Sequence, residues 1–262
     1  SGLVSPLVGA ATVGETLSTL PAGRPWTFDR AGAVRVRLLS GLMTSRPERE
    51  VLDGANALAV EHPGGWEVLQ FATADLQPDG PREYILRDLI RGQGGTEPLA
   101  AAALAAGARV VLLSGAVQPA GLPLADRARP ITWAAGGAAI DVDAWGAQSV
   151  TFTGAGLKPH APAHLTAAAS GGDLVFTWSP RSRVPLGGSL ATSPPLSDAD
   201  IWRVEIGPSA APVRALTVTG AAFTYTAAMQ AADGLSGAVA VRVAQVSDIY
   251  GPGWAASTEV TP

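Results

Sequence analysis

Residues 33–39 read Ala-Val-Arg-Val-Arg-Leu-Leu, with Val34, Val36 and Leu38 on one side of the alternation and Arg35 and Arg37 on the other. Alternation with a period of two predicts a strand whose valines face a core and whose arginines face water. The same reading predicts strands over 57–61, 66–72, 82–90, 109–113, 130–134 and 150–153. Between two of them, Gln77-Pro78-Asp79-Gly80-Pro81 has the chemistry of a turn, so 66–76 and 82–90 are expected to pair as a hairpin. Helix is suggested only at 98–106, an alanine-rich stretch long enough for a couple of turns.

The pattern breaks at Gly156-Leu157-Lys158-Pro159-His160-Ala161-Pro162-Ala163-His164-Leu165, where two prolines forbid a helix and stiffen a linker. It is the expected boundary between a β-rich domain at 1–157 and a second domain at 162–262, with residues 1–30 containing the end of a preceding domain. The second domain reads as seven short strands, of which 174–178, 201–206, 223–226 and 238–243 are the clearest. A tryptophan in its second strand (Trp178) and a Gly-x-Gly-Trp near its end (Gly251 to Trp254) resemble the fibronectin type III pattern. The tyrosine that usually opens the sixth strand is missing, since Val239 or a neighbour stands there. The fold class expected is all-β, with two β-rich domains and a fibronectin type III-like sandwich at the C-terminal end.

Composition narrows the function classes. Gly and Pro together make 52 of 262 residues, which favours short strands and many turns. At 47% hydrophobic and 15% charged the chain has the makings of sizeable cores and is not of the disordered type. The net charge is −4, with no basic patch, which argues against direct nucleic-acid binding. No apolar run reaches membrane-spanning length, and the absence of cysteine excludes disulfides and thiolate metal sites. Of the 18 basic residues only Lys158 is lysine, which with the abundance of Ala and Gly fits a high-GC bacterial coding sequence. The chain opens Ser1-Gly2, which suggests a piece of something longer.

Candidate chemistry is sparse. Gly92, Gly94 and Gly95 look at first like a phosphate loop, but Arg91-Gly92-Gln93-Gly94-Gly95-Thr96-Glu97 has no lysine and puts an acid where the cation is needed. Positive φ at a strand exit is the better use of these glycines. His62 precedes a turn, and His160 and His164 are separated by a helix-breaking Pro162, so no metal site is expected. No cofactor is expected either. The pairs Glu48 and Glu50, Asp141 and Asp143, and Asp198 and Asp200 sit two apart in turn-like surroundings, whereas a glycosidase needs carboxylates across a cleft. An enzyme would need Asp53 or Asp88 brought to Asp141, and none is expected. Trp26, Trp66, Trp133, Trp145, Trp178, Trp202 and Trp254 are the remaining candidates. Within alternating strands Trp66 and Trp178 are expected to fill core. Trp145, following the Asp141 and Asp143 pair, is the candidate for a glycan-stacking surface.

Two stretches carry a resemblance. Gly65-Trp66-Glu67-Val68-Leu69-Gln70-Phe71 and Leu86-Arg87-Asp88-Leu89-Ile90-Arg91-Gly92-Gln93-Gly94-Gly95-Thr96-Glu97 look like the signature of phage tail-tip host-specificity proteins. The form they most resemble is the large baseplate protein (megatron) of the gene transfer agents of alphaproteobacteria. Leu38–Gly41, Asp53–Asn56, Gly107–Leu113 and Gly156–Leu165 agree in order, as do 223–228 and 241–253. The family often carries Trp-x-Arg-Arg-x-Arg after the second strand of its last domain. Here Trp178, Arg181 and Arg183 remain while Pro180 replaces an arginine, so the role of that basic cluster is left open.

The resemblance implies a C-terminal fragment of a structural, host-envelope-contacting tail-tip protein acting in attachment and DNA delivery. It further implies a homotrimer assembled on other tail-tip and hub proteins, expected at the tip of a virion-like particle made in the bacterial cytoplasm and released. A glycosidase-like region lies upstream in that family and outside this chain. The alternative is a pair of carbohydrate-binding modules recognising capsule or envelope polysaccharide. The candidate contact residues under either reading are Trp145, Asp141, Asp143, Arg181 and Arg183.

Overall fold

The computed structural model describes residues 9–137, 139–181, 199–235 and 237–261. The chain divides into two compact units, Ser1–Gly156 and Leu157–Pro262.

The first unit is built on a closed antiparallel barrel of six strands: β1 (Val13–Thr16), β2 (Phe28–Leu38), β3 (Ala57–His62), β4 (Gly65–Leu76), β5 (Glu83–Gln93) and β6 (Arg109–Leu112). Around the barrel their order is β1-β2-β5-β4-β3-β6, and β6 returns to β1 through Val13↔Val111 and Glu15↔Arg109. Closure removes the sheet edges that would otherwise invite further pairing. Within the span 1–30, expected to include the end of a preceding domain, Val13–Thr16 form β1 and Phe28 opens β2 of this barrel.

The interior follows the alternation. Val34, Val36 and Leu38 point in, as do Leu69 and Phe71 of β4 and Tyr84, Leu86 and Leu89 of β5. Leu86 and Leu89 are three apart, an odd step for one face of a strand, and Asp88 between them takes φ +53°. β4 uses both faces. Its outer residue Ala72 packs with Ile90 and Val51 beneath the one-turn helix α1 (Glu48–Leu52). Gln70 donates to the carbonyls of Val51 (2.5 Å) and Ala55 (2.9 Å), holding the end of that helix.

The expected helix over 98–106 is a single turn, α2 (Glu97–Ala100). Leu104 is drawn instead into a backbone bridge with buried Leu20, each N–H reaching the other's carbonyl at 2.9 Å. One turn of alanine cannot hold a helix against that competition, because nucleation is costly. After the barrel, β7 (Pro130–Ala135) and β8 (Gly146–Thr151) form an exposed two-stranded hairpin.

The second unit has two sheets. One is ordered β13-β10-β9, from β9 (Ala163–Ser170), β10 (Asp173–Ser179) and β13 (Ala222–Tyr225). The other is ordered β12-β11-β14-β15, from β11 (Ile201–Ile206), β12 (Arg214–Thr219), β14 (Val239–Ser247) and β15 (Gly251–Val260). Three strands (first, second, fifth) over four (fourth, third, sixth, seventh) is the strand order of a fibronectin type III sandwich. Trp178 and Trp202 meet edge to face at 5.6 Å between the sheets, a contact worth about 0.5–1.5 kcal/mol beyond area burial. The corner that a sixth-strand tyrosine would fasten is tied otherwise. Tyr225 ends β13, and its hydroxyl donates to Asp233 (2.8 Å) at the end of α3 (Ala227–Asp233). Arg214 of β12 grips the same carboxylate with two bonds of 2.8 Å.

Candidate functional site

β2, β4 and β6 end at one mouth of the barrel and begin at the other, while β1, β3 and β5 run the opposite way. The two mouths are finished differently, and the difference defines the surfaces available for function.

One mouth is sealed from within by charge. Glu67 of β4 and Arg91 of β5 are both wholly buried and joined by two bonds of 2.7 Å, guanidinium fork to carboxylate. Arg91 also donates from Nη1 to the Pro21 carbonyl, and the Gly92 N–H donates to Glu67 Oε1 at 3.2 Å. Buried His62 places Nε2 3.0 Å from Glu67 Oε2, though outside hydrogen-bond alignment. As the last residue of β3, His62 faces inward beside the acid.

This cluster inverts the expected polarity of β4. With Leu69 and Phe71 inside, Glu67 is inside too, and Trp66 falls on the outer wall, where it is 39% exposed. Trp66 therefore does not fill core. The Arg109 guanidinium lies 5.6 Å from its ring centroid and also forks onto Glu61, holding that carboxyl below its ordinary range. Trp178 is buried as expected.

Past Arg91 the glycine-rich turn folds over this mouth. Gly92, Gly94 and Gly95 take φ of +66°, +61° and +80°. A Cβ on Gly95 would lie 2.6 Å from the Ala155 carbonyl oxygen and from Gly156 Cα, so only glycine fits there. Thr96 Oγ1 accepts from the Val68 N–H (3.0 Å) and donates to the Gln93 carbonyl (2.7 Å), pinning the turn back onto β4. These groups satisfy one another, so the loop is a structural corner.

At the opposite mouth apolar groups are left in water. Leu39 follows β2, Leu76 ends β4 and Leu113 follows β6, at 69%, 63% and 39% exposure. Beside them lies a groove of about 470 Å³ lined by Leu42, Thr44, Arg46, Asn56, Leu112 and Leu113, among others. Between the mouths the outer wall is electrically closed. Cross-strand neighbours run Glu61, Arg109, Glu15, Arg37, Glu83 in alternating sign, linked by the Glu61–Arg109, Glu15–Arg37 and Arg37–Glu83 ion pairs.

The sequence candidates are scattered. Asp141 and Asp143 are exposed in the β7–β8 connection, where Asp141 Oδ1 accepts the Asp143 N–H (3.1 Å), a local turn. Trp145 is half-buried and folded onto its own hairpin, its Nε1–H on the Ile140 carbonyl (3.1 Å) and its ring against Gly136. Arg181 reaches the Ala161 carbonyl at 3.4 Å; Arg183 and Asp198 lie outside the described residues. Asp88 is engaged by Arg30 (3.0 Å) and Thr73 (2.9 Å), and the Arg30 bond holds its carboxyl below the usual range. Asp200 accepts from Trp202 Nε1 at 2.7 Å. Among the described residues no group of three or more His, Cys, Asp or Glu side chains could hold a metal, and no helix is long and apolar enough to cross a membrane.

What the geometry defines is a β-protein of two units, a closed six-stranded barrel and a fibronectin type III-like sandwich, with surfaces for contact. A family model described as Rcc01698-like, C-terminal matches residues 11–111. The match thus starts just before β1 and ends within β6, the extent of the barrel. No curated protein matches. Among solved structures, the chain is similar to the chicken CNTN1 FN1–FN3 domains, at 11% identity and a TM-score of 0.26, over 94% of this chain and 66% of that one.

Proposed function

We propose that this chain is a structural and envelope-contacting part of a phage-like tail tip of the gene transfer agent type. The observation that carries the reading is the family match over 11–111, whose description fits a protein associated with such particles. Both stretches that resemble tail-tip proteins, 65–71 and 86–97, lie inside that match and supply Glu67, Arg91 and the glycine turn. In this reading they maintain a rigid barrel, while the mouth bearing Leu39, Leu42, Leu76 and Leu113 packs against neighbouring tail proteins. Three weak envelope contacts on one particle would then give firm attachment through multivalency.

The test is immunogold electron microscopy of released particles with an antibody raised against 163–260. Gold at the distal tip of tails is expected; particles without label, from cells that make the protein, would overturn the reading. A second reading, carbohydrate binding by the barrel, is favoured by the exposed Trp66 beside Arg109 and Glu61. Glycan-array binding lost in Trp66→Ala would establish it.

A further inference from the structure

The outer face of the four-stranded sheet in the second unit carries a charge arrangement unlike the closed belt of the barrel. Two successive cross-strand rows read Arg203, Ala244, Ala255 and Glu205, Arg242, Ser257. The inward residues of these strands, Trp202, Val204, Val241 and Val243, fill the core, so both rows face outward. Small residues leave a hollow between the arginines. It is a depression of about 160 Å³, lined by Arg203, Glu205, Arg242, Ala244, Pro252, Gly253 and Ala255. Ala244 forms a buried floor.

Glu205 is bound from two sides. Arg203 Nε donates to its Oε1 at 2.7 Å, and Arg242 Nη1 lies 3.3 Å from its Oε2. Arg242 also donates to the Ser209 carbonyl at 3.2 Å. Two guanidiniums against one carboxylate leave the hollow with one positive charge in excess, in a chain whose net charge is −4. Arg203 gives Glu205 only its Nε–H, so its terminal amino groups have no other partner among the described residues. Two terminal amino groups side by side can still grip a carboxylate in parallel, end on. Glu259, one row further along the face, is not among the residues lining the hollow and keeps an anion toward the Arg203 side.

The occupant must therefore bring a single negative charge together with a flat apolar surface to lie on Ala244, Ala255 and Pro252. A pyranose ring carrying a carboxylate has both, because its axial C–H face is apolar and its hydroxyls can donate to Glu205. We propose that this depression binds the uronate rings of an acidic polysaccharide, one ring at a time. The site stands on the sheet face alone and does not depend on the tail-tip reading.

The test is an amide chemical-shift titration of the full 262-residue chain. The probes are galacturonate, trigalacturonate, galactose and inorganic phosphate. Galacturonate and its trimer should give saturable shifts confined to 203–205, 242–244 and 252–255, with galactose at least about tenfold weaker for want of the charge-assisted pair. Arg203→Gln should weaken the trimer about tenfold, and Ala255→Leu, which fills the hollow from a half-buried position on its rim, should abolish the shifts while the rest of the spectrum is unchanged. Three results would overturn the proposal: no saturable shift, shifts centred elsewhere, or phosphate binding as well as galacturonate, which would make this a general anion contact. Unaltered trimer binding by both variants, each folded by its spectrum, would overturn it too.

Discussion

Both units contain an arginine forked onto a carboxylate with a third polar group at its side, in opposite surroundings. In the barrel, Arg91 and Glu67 are entirely buried, with His62 beside them. In the sandwich, Arg214 is partly exposed, and the carboxylate of Asp233 also accepts from the Tyr225 hydroxyl. The buried pair has left water completely, so its attraction is largely offset by desolvation, and its net worth over an apolar pair is small or negative. Its importance is positional. It commits β4 to carrying Glu67 inward, which sends Trp66 out and sets which residues of three strands reach the surface. The half-buried pair closes a corner and responds to pH.

The largest expected effect comes from separating the buried partners. Glu67→Gln leaves Arg91 inside the barrel without a counter-charge and should cost about 3–5 kcal/mol, read from urea unfolding followed by tryptophan fluorescence. A cost below about 1 kcal/mol, the worth of an ordinary exposed pair, would mean that the fork is not closed in solution.

Next comes the turn above that pair. Gly95→Ala should cost about 1–3 kcal/mol for its backbone conformation, with a further loss because the new methyl meets the Ala155 carbonyl. Gly94 has the same left-handed backbone but open space around it, so Gly94→Ala should cost only about 1 kcal/mol. Equal shifts in thermal midpoint for the two would remove the packing contact from the account.

In the sandwich, Tyr225→Phe deletes one hydrogen bond and should cost about 1 kcal/mol. The Tyr225 hydroxyl is pushed up to about 12, first by burial and then by its bond to Asp233. A folded value above the unfolded one means that this contribution is whole below the unfolded tyrosine range and is lost as pH rises through about 12. Asp233 behaves in the opposite sense. The Arg214 hydrogen bonds hold its carboxyl below the ordinary range, so its contribution is whole above that range and is lost as pH falls through the lowered value. Carbon-detected titration should show Asp233 returning to the ordinary range in Arg214→Gln; a wild-type Asp233 already there would sink the comparison.

The smallest effect is expected on the belt. Arg109→Gln removes an exposed fork and should leave the urea midpoint nearly unchanged, while altering Trp66 fluorescence because the guanidinium lies over that ring.

Most of the strands were legible because the alternation of apolar and polar side chains is itself the requirement for a half-buried strand. The sandwich strands at 174–178, 201–206, 223–226 and 238–243 follow from it directly, and the 77–81 turn follows from its Pro, Asp and Gly. β1 was not legible: Val13–Thr16 is four residues long, and its place is fixed by hydrogen bonds to β2 and β6, neither of them local. Glu67 was read past for a related reason. A lone acid in an apolar run looks like the solvent side of a strand, and only the approach of Arg91, 24 residues on, makes its burial tolerable. A signal did exist, since Glu67 shares the parity of Leu69 and Phe71, and Arg91 immediately precedes a glycine turn. Proximity in sequence and proximity in space part company here: Asp141 and Asp143 form a turn with each other, while Arg203 and Arg242 lie on neighbouring strands 39 positions apart.

What the sequence determined by itself was therefore local: strands from two-residue periodicity, turns from Gly, Pro and Asp, positive-φ corners from glycine, and the break near Gly156. Each depends on a residue's own backbone and its nearest neighbours, and so survives without knowledge of the rest of the chain. Only the tertiary structure decided the barrel's closure, the burial of Glu67 and Arg91, and the pairing of Arg203 and Arg242 around one carboxylate. Each of these needs partners distant in the chain, and a charge can be buried or left in excess only once the fold has fixed what stands opposite it.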